Sequence, residues 1–152
     1  SCLSKVLESV DSDTHMVFDV DGVLIRMMHN CALVEGSDHV VQEAKQKCLS
    51  VRCLTKTSIE EGDPQLLLQT LKDYGIVLDP ITNPDTLQNL KNLGATHMEG
   101  LIFAGPETKG KILATLFNDK DKVVFVDDSF GHVESATKEC PQCTAFHFVP
   151  EK

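Results

Sequence analysis

The chain has 152 residues, of which 41% are hydrophobic and 24% charged, and its net charge is −9 at pH 7. This length predicts one domain over residues 1–152 with a sizeable core. The negative charge argues against nucleic-acid binding, which needs clustered Lys and Arg. No apolar run approaches the roughly 20 residues of a membrane-spanning helix, so we expect no transmembrane segment.

The first predicted strand is a short apolar run that ends abruptly in acid. Residues 16–18 precede Asp19 and Asp21, and Gly22 follows directly. In open α/β sheets, ligands bind in the crevice beyond the carboxyl ends of the strands. Two carboxylates one residue apart at such a place can hold a divalent cation, or they can divide nucleophilic attack and proton transfer between them. A solvated surface turn is the alternative interpretation.

Four further segments have the length and the β-branched or aromatic composition of buried parallel strands. They are residues 51–55, 100–104, 123–127 and 144–148. Helical patterns between them cover residues 38–48, 64–74, 84–93 and 108–117. Ser37 can cap the first helix, and the second and third each open with a proline. Leu66, Leu67 and Leu71 are expected on the apolar face of the second helix.

Strand and helix alternate along the chain, which is typical of an α/β fold. We therefore predict a three-layer α/β/α, Rossmann-like arrangement, with a parallel sheet of about five strands and helices on both faces.

Groups suited to phosphate chemistry follow four of the predicted strands. They are Asp19, Asp21, Thr55, Lys109, Asp127 and Asp128. Parallel strands deliver their carboxyl ends to one edge of a sheet, so these groups are expected to converge there. Phosphoryl transfer to a carboxylate requires positioning and charge neutralisation, and Mg²⁺ prefers oxygen ligands.

Some of these positions have competitors nearby. Thr57 and Ser58 lie close to Thr55, and Lys111 competes with Lys109. Because helix geometry separates the two lysines by about 200°, only one of them can face the cleft. The six histidines are scattered and are expected to be structural or solvent-facing, although Ser129 and His132 follow the fourth strand closely enough to line a pocket.

The order D-x-D-G-V, strand-terminal Thr, Lys and strand-terminal Asp-Asp resembles the haloacid dehalogenase (HAD) superfamily of phosphohydrolases, from His15 to about Phe148. The stretches 71–76 and 100–110, followed by 123–128, look most like a branch of that superfamily found in intracellular bacteria such as Legionella. The resemblance implies a Mg²⁺-dependent phosphomonoesterase. A secreted bacterial effector of this branch would act in the cytosol of the host cell.

The resemblance also implies catalytic roles. Asp19 would be the nucleophile that forms an aspartyl-phosphate, and Asp21 would be the general acid and base. Thr55 and Lys109 would bind the phosphoryl group, and Lys109 would also pair with Asp19.

Metal and substrate-loop roles follow from the same resemblance. Asp19, Asp128 with Asp127 beside it, and the main-chain carbonyl of Asp21 would hold Mg²⁺. Gly22, in the substrate-binding loop, would permit the tight winding after the acidic pair.

The resemblance makes the chain a single catalytic core whose cap is absent, or left out of this chain near residues 26–36. Residues 25–35 suffice for a β-flap only. An open cleft favours a macromolecular substrate such as a phosphoprotein, phosphotyrosine included.

The sequence leaves two alternative functions open: a P-loop nucleotide-binding protein and a protein without catalytic activity. Residues 105–111 spell the G-x-x-x-x-G-K of a P-loop, but Ile112 stands where a Ser or Thr hydroxyl should meet Mg²⁺. An intact motif set could also belong to a catalytically idle scaffold or interaction protein.

The six cysteines form no regular framework, which indicates reduced thiols in a cytoplasmic compartment. Cys140 and Cys143 have C-x-x-C spacing. This spacing leaves a redox pair or half a metal site as alternatives to structural thiols.

Overall fold

Strands and helices alternate along most of the chain in a computed structural model, which describes residues 2–59 and 63–149. The strands are β1 Thr14–Phe18, β2 Ile25–Arg26, β3 Ala32–Leu33, β4 Ser50–Thr55, β5 Thr96–Met98, β6 Leu101–Phe103, β7 Lys122–Asp127 and β8 Cys143–His147. The α-helices are α1 Ser37–Lys47, α2 Pro64–Asp73, α3 Pro84–Asn92, α4 Lys109–Leu116 and α5 Phe130–Glu139. Two 3₁₀ helices cover Cys2–Ser9 and Met27–His29.

Six strands form one sheet in the order β5-β6-β4-β1-β7-β8. All pairs are parallel except β5 with β6. The predicted α/β class is therefore confirmed, and all five predicted strands are present. The sixth strand, β5, escaped prediction because its three residues are all half-buried and carry no apolar alternation.

The sheet separates two apolar clusters, because successive side chains of a strand point to opposite faces. In β1, Met16 and Phe18 belong to one cluster and Val17 to the other. The first cluster contains the buried hydrophobic residues of α1 and α2, and the second contains those of α3, α4 and α5. Helices thus cover both faces, as predicted. Among the described residues, every helix is too short or too polar to cross a membrane.

Two helix predictions need correction, and one helix was not predicted. Ser37 does not cap α1: it is the first residue of the helix, and its hydroxyl donates to the carbonyl of Leu24 at 2.8 Å. In α2, Leu68 is buried where Leu66 was expected, and Leu66 is 65% exposed. Helix α5 was not predicted, because Ala136 is its only fully buried residue and a short stripe of that kind gives little periodic signal.

Gly110 sets the distance between α4 and α5. A β-carbon at this position would lie 2.1 Å from the main-chain oxygen of Ser135. The Gly110 amide also donates to the Ser135 hydroxyl at 3.2 Å. The contact holds the start of α4, and hence Lys109, against α5.

We expect Gly110→Ala to destabilise the protein by about 1–3 kcal/mol, because the methyl group must push two backbones apart. That cost exceeds the roughly 0.5–1 kcal/mol that alanine normally gains over glycine within a helix. Urea unfolding measures the difference.

Gly131→Ala is the matched control, since its β-carbon would meet only the Ser129 hydroxyl at 3.8 Å. The control should be neutral or slightly stabilising. Equal effects of the two substitutions would contradict the close approach of α4 and α5.

Candidate active site

Three carboxylates meet at the carboxyl edge of the sheet. Asp19 follows β1, Asp127 ends the neighbouring strand β7, and Asp128 comes next. One oxygen from each lies within 4.8 Å of the other two. Asp19 and Asp127 are buried and Asp128 is exposed, so the cluster opens to solvent on the side of Asp128.

Lys109 supplies the positive charge of this cluster. Its Nζ donates to Asp19 Oδ1 at 2.7 Å and to Asp127 Oδ2 at 2.6 Å, and the side chain is only 1% exposed. The Thr108 hydroxyl caps α4 by accepting from the Lys111 amide, which makes Lys109 the first residue of the helix. The chain enters α4 from β6, whose carboxyl end lies at this same edge.

Lys111, the competing lysine, lies on the outer surface. Its side chain is 52% exposed and its Nζ is 3.8 Å from Glu107. The two lysines therefore face different directions, as the helix geometry requires. The arrangement also disagrees with a P-loop, which would use Lys111 to bind phosphate.

The cluster carries more negative charge than Lys109 can neutralise. Burial, together with the neighbouring charge of Asp127, raises the pKa of Asp19 to about 8 against the opposing effect of Lys109. Partial desolvation beside its two neighbours also raises the pKa of Asp128, and the charge of Asp127 adds to this rise, although a hydrogen bond with Asp19 opposes it. The excess of carboxylate is what a divalent cation would compensate.

Asp127 behaves differently from its two neighbours. Burial alone would raise its pKa, but the Lys109 ammonium and a hydrogen bond from the Ser129 amide outweigh burial and lower it. Its Oδ1 accepts from that amide at 2.9 Å, and its Oδ2 accepts from Lys109. Asp127 is therefore ionised, and it holds the Lys109 ammonium in position.

The Asp21 carboxylate is exposed and is not one of the three clustered carboxylates. Its Oδ1 accepts a hydrogen bond from the Met27 amide at 2.9 Å, and its backbone bridges to Ile25. Asp21 therefore connects the loop after β1 to the β2–β3 hairpin, whose strands have only two residues each. The segment 26–36 includes this hairpin and no larger insertion.

Gly22 lies against Asp128. Its φ is +84°, and a β-carbon there would come 2.0 Å from Asp128 Oδ2. Glycine is therefore required here for two reasons: the backbone is left-handed, and the loop passes so close to a carboxylate that a β-carbon would not fit. The sequence indicated the first role, but not the second.

Thr55 ends β4, the strand on the other side of β1. Its buried hydroxyl donates to the Thr57 hydroxyl at 3.0 Å and accepts from the Thr57 amide at 3.1 Å. Thr57 in turn reaches Met27 Sδ at 3.5 Å. Both threonines therefore lie at the carboxyl edge, and they hold the loop after β4 next to the hairpin.

His132 lies beside the site, near the end of β7, where the sequence predicted that it could line a pocket. Its Nδ1 lies 3.1 Å from Asp127 Oδ2, and it lines a cavity of about 160 Å³ together with Lys56 and Lys109. The Ser129 hydroxyl caps α5 by accepting from the His132 amide. A strand-terminal Asp followed five residues later by His was the available signal, but it has meaning only once α5 is known.

Most of the chain matches the model of one protein family. The chain belongs to the family described as "Protein of unknown function (DUF2608)", whose family model matches residues 29–149. The match includes Thr55, Lys109, Asp127 and Asp128, and it begins after Asp19 and Asp21. Neither a search of curated proteins nor a search of solved structures found a match.

Proposed function

We propose that this DUF2608 protein is a Mg²⁺-dependent phosphomonoesterase of the HAD type that works through an aspartyl-phosphate on Asp19. The observation that carries the proposal is the buried Asp19 carboxylate, 2.7 Å from the Lys109 ammonium and clustered with two further carboxylates. A strand-terminal carboxylate of this kind, beside a fixed cation, has the surroundings of a nucleophile for phosphorus.

The donor set fits Mg²⁺, which binds through one or two carboxylates and retains several waters. Both oxygens of Asp127 already accept hydrogen bonds, from Lys109 and from the Ser129 amide. Asp19 and Asp128 would therefore bind the ion directly, and Asp127 would position Lys109 beside it. We keep the main-chain carbonyl of Asp21 as a further ligand on the basis of the HAD resemblance. Bound Mg²⁺ supplies positive charge against the phosphoryl oxygens.

The protein groups would divide the reaction between them. An oxygen of Asp19 attacks phosphorus and the ester P–O bond breaks, while Lys109 neutralises charge on the phosphoryl group. Asp21, exposed and held by the Met27 amide, donates a proton to the departing alcohol. Water then attacks the phosphorus of the phosphoaspartate and transfers a proton to Asp21. The bond between phosphorus and the Asp19 oxygen breaks, so inorganic phosphate leaves and the Asp19 carboxylate is regenerated. Thr55 would hydrogen-bond a phosphoryl oxygen when its hydroxyl turns from Thr57.

A phosphoprotein is the substrate class we favour, with phosphotyrosine as the first side chain to examine. The two-residue strands of the β2–β3 hairpin form only a small flap next to the Asp19 loop. Within residues 2–59 and 63–149, a flap of this size would admit a phosphorylated side chain on a large partner.

The direct experiment is hydrolysis of p-nitrophenyl phosphate, with Mg²⁺ and with EDTA, followed by a panel of phosphopeptides, sugar phosphates and nucleotides. We expect activity that requires Mg²⁺. A folded protein that binds Mg²⁺ and inorganic phosphate but hydrolyses none of these esters would contradict the proposal and favour the idle scaffold.

Gly22→Ala provides a second test of the metal site. Because the new methyl group would overlap Asp128 Oδ2, that carboxylate must move away. We expect the dissociation constant for Mg²⁺ to rise by about tenfold or more, the range found for disturbed metal surroundings. Isothermal titration calorimetry measures the change.

Gly36→Ala controls for backbone strain in this experiment. Gly36 has a φ of +80°, close to that of Gly22, but nothing lies within 4 Å of its β-carbon position. The control should lose stability without losing Mg²⁺ affinity. A similar loss of affinity in both variants would mean that strain, and not the displacement of Asp128, is responsible.

A further inference from the structure

Cys140 and Cys143 lie in one hydrogen-bonded turn at the amino edge of the sheet, opposite the candidate active site. The turn joins the end of α5 to the start of β8, and the Cys143 amide donates to the Cys140 carbonyl at 2.9 Å. Such a four-residue turn keeps its first and fourth Cα atoms within about 7 Å. Disulfides join Cα atoms about 4.4–6.8 Å apart, so the backbone already meets the distance requirement.

The turn is fixed from both sides. The Cys140 amide closes α5 by donating to the Ala136 carbonyl at 2.9 Å. The Gln142 side chain, inside the turn, donates to the Asn118 carbonyl at 3.1 Å. A fixed turn holds the two cysteines together in the native protein, so that one thiol is always available to the other.

The two thiols also interact with each other. A hydrogen bond from the Cys143 thiol lowers the pKa of Cys140, although burial opposes this effect. The same hydrogen bond, together with burial, raises the pKa of Cys143. Cys140 is thus the better thiolate of the pair, as one cysteine of a C-x-x-C motif commonly is.

No other described cysteine shares this location. Cys140 and Cys143 belong to the apolar cluster on one face of the sheet, whereas Cys31, Cys48 and Cys53 belong to the cluster on the other face. The sheet lies between the two groups. Among the cysteines whose side chains the structure describes, Cys140 and Cys143 are therefore the two that can reach each other.

We propose that Cys140 and Cys143 form a reversible disulfide, a redox site separate from the phosphate chemistry, whose oxidant is a low-molecular-weight disulfide such as oxidised glutathione. Cys143 is half-buried and meets the oxidant first, whereas Cys140 is fully buried. The Cys143 thiol transfers its proton to the Cys140 thiolate along their hydrogen bond, and its sulfur attacks the glutathione S–S bond. A mixed disulfide forms at Cys143, and the departing glutathione takes up that proton and leaves as a thiol, so that Cys140 is again the thiolate. The Cys140 thiolate then attacks the Cys143 sulfur, and the second glutathione leaves as a thiol. Two protein thiols are oxidised and one glutathione disulfide is reduced.

Mass spectrometry of the native protein tests the proposal. Cleavage after Lys138 and Lys152 gives the peptide 139–152, which contains these two cysteines and no others. After incubation with oxidised glutathione and alkylation in denaturant, we expect this peptide to be unalkylated and lighter by two hydrogen atoms. Dithiothreitol should restore two alkylation sites. Two alkylated cysteines, or a stable glutathione adduct as the main product, would overturn the proposal.

Two controls locate the effect. In Cys140→Ser the resolving thiol is absent, so a stable glutathione adduct should accumulate on Cys143, and its absence would overturn the assigned entry point. In urea the turn is lost, so the oxidised fraction of the wild-type pair at the same glutathione ratio should fall several-fold. Equal fractions in the native and the unfolded protein would overturn the role of the folded turn.

Discussion

Asp19→Asn is expected to lower kcat/KM for p-nitrophenyl phosphate by at least about 10³-fold, in the range of losses seen when a nucleophile is removed. Asn cannot form the acyl phosphate, and it replaces an anionic ligand at the proposed Mg²⁺ site. Steady-state kinetics at saturating Mg²⁺ measures the loss. In the wild type, a phosphorylated form of the protein should also be trapped by acid quenching, and it should be absent from the variant.

The same variant should remain folded. With a pKa of about 8 in the metal-free protein, Asp19 is mainly protonated near neutral pH, and Asn has the shape of that neutral form. We expect its free energy of unfolding to stay within about 1 kcal/mol of the wild type.

Asp13→Asn is the matched control, because Asp13 is exposed and precedes β1 at the end opposite Asp19. The control should keep full activity. Full activity in Asp19→Asn would rule out the aspartyl-phosphate.

Lys109→Met is expected to have the largest effect on stability. It leaves the Asp19 and Asp127 carboxylates buried beside each other without their shared cation. Removing one partner of a buried ion pair costs about 3–5 kcal/mol. Activity should fall as well, since the phosphoryl group loses its ammonium partner. Urea unfolding and p-nitrophenyl phosphate hydrolysis measure the two effects.

The pH dependence of this loss has a definite sign. Without Lys109, the pKa of Asp19, already raised by burial, rises further, and burial raises the pKa of Asp127 above its unfolded value, so the folded protein binds more protons. Stability then decreases as pH increases, and the destabilisation of Lys109→Met should be larger at about pH 8 than at about pH 5. A loss that is constant across this range would mean that packing, and not charge, accounts for it.

Lys111→Met is the control from the same helix. Its ammonium lies on the surface, 3.8 Å from Glu107, and exposed pairs of this kind contribute about 0–1 kcal/mol. The substitution should leave both stability and hydrolysis nearly unchanged. If Lys111→Met abolished activity, the assignment of the phosphate-binding role to Lys109 would be wrong.

Features that are encoded by neighbouring residues could be predicted from the amino-acid pattern alone. Apolar runs located five strands of the sheet, and Pro64 marked the start of α2. The acids at 19 and 21 were visible because a strand ended in them. Each of these signals spans only a few neighbouring positions, so it can be recognised without knowing which distant segments come into contact.

Which of these groups meet depends on how the strands and helices are arranged in three dimensions. Asp19 and Asp127 lie together because β1 and β7 are neighbours in the sheet, although they are far apart in the chain. The same strand order, together with the packing of α4 and α5, determines three further features of the site. It places Lys109 rather than Lys111 in the cluster. It also brings Gly22 into contact with Asp128 and His132 close to Asp127. Such contacts join distant segments, and their geometry follows from register and close packing rather than from any local pattern.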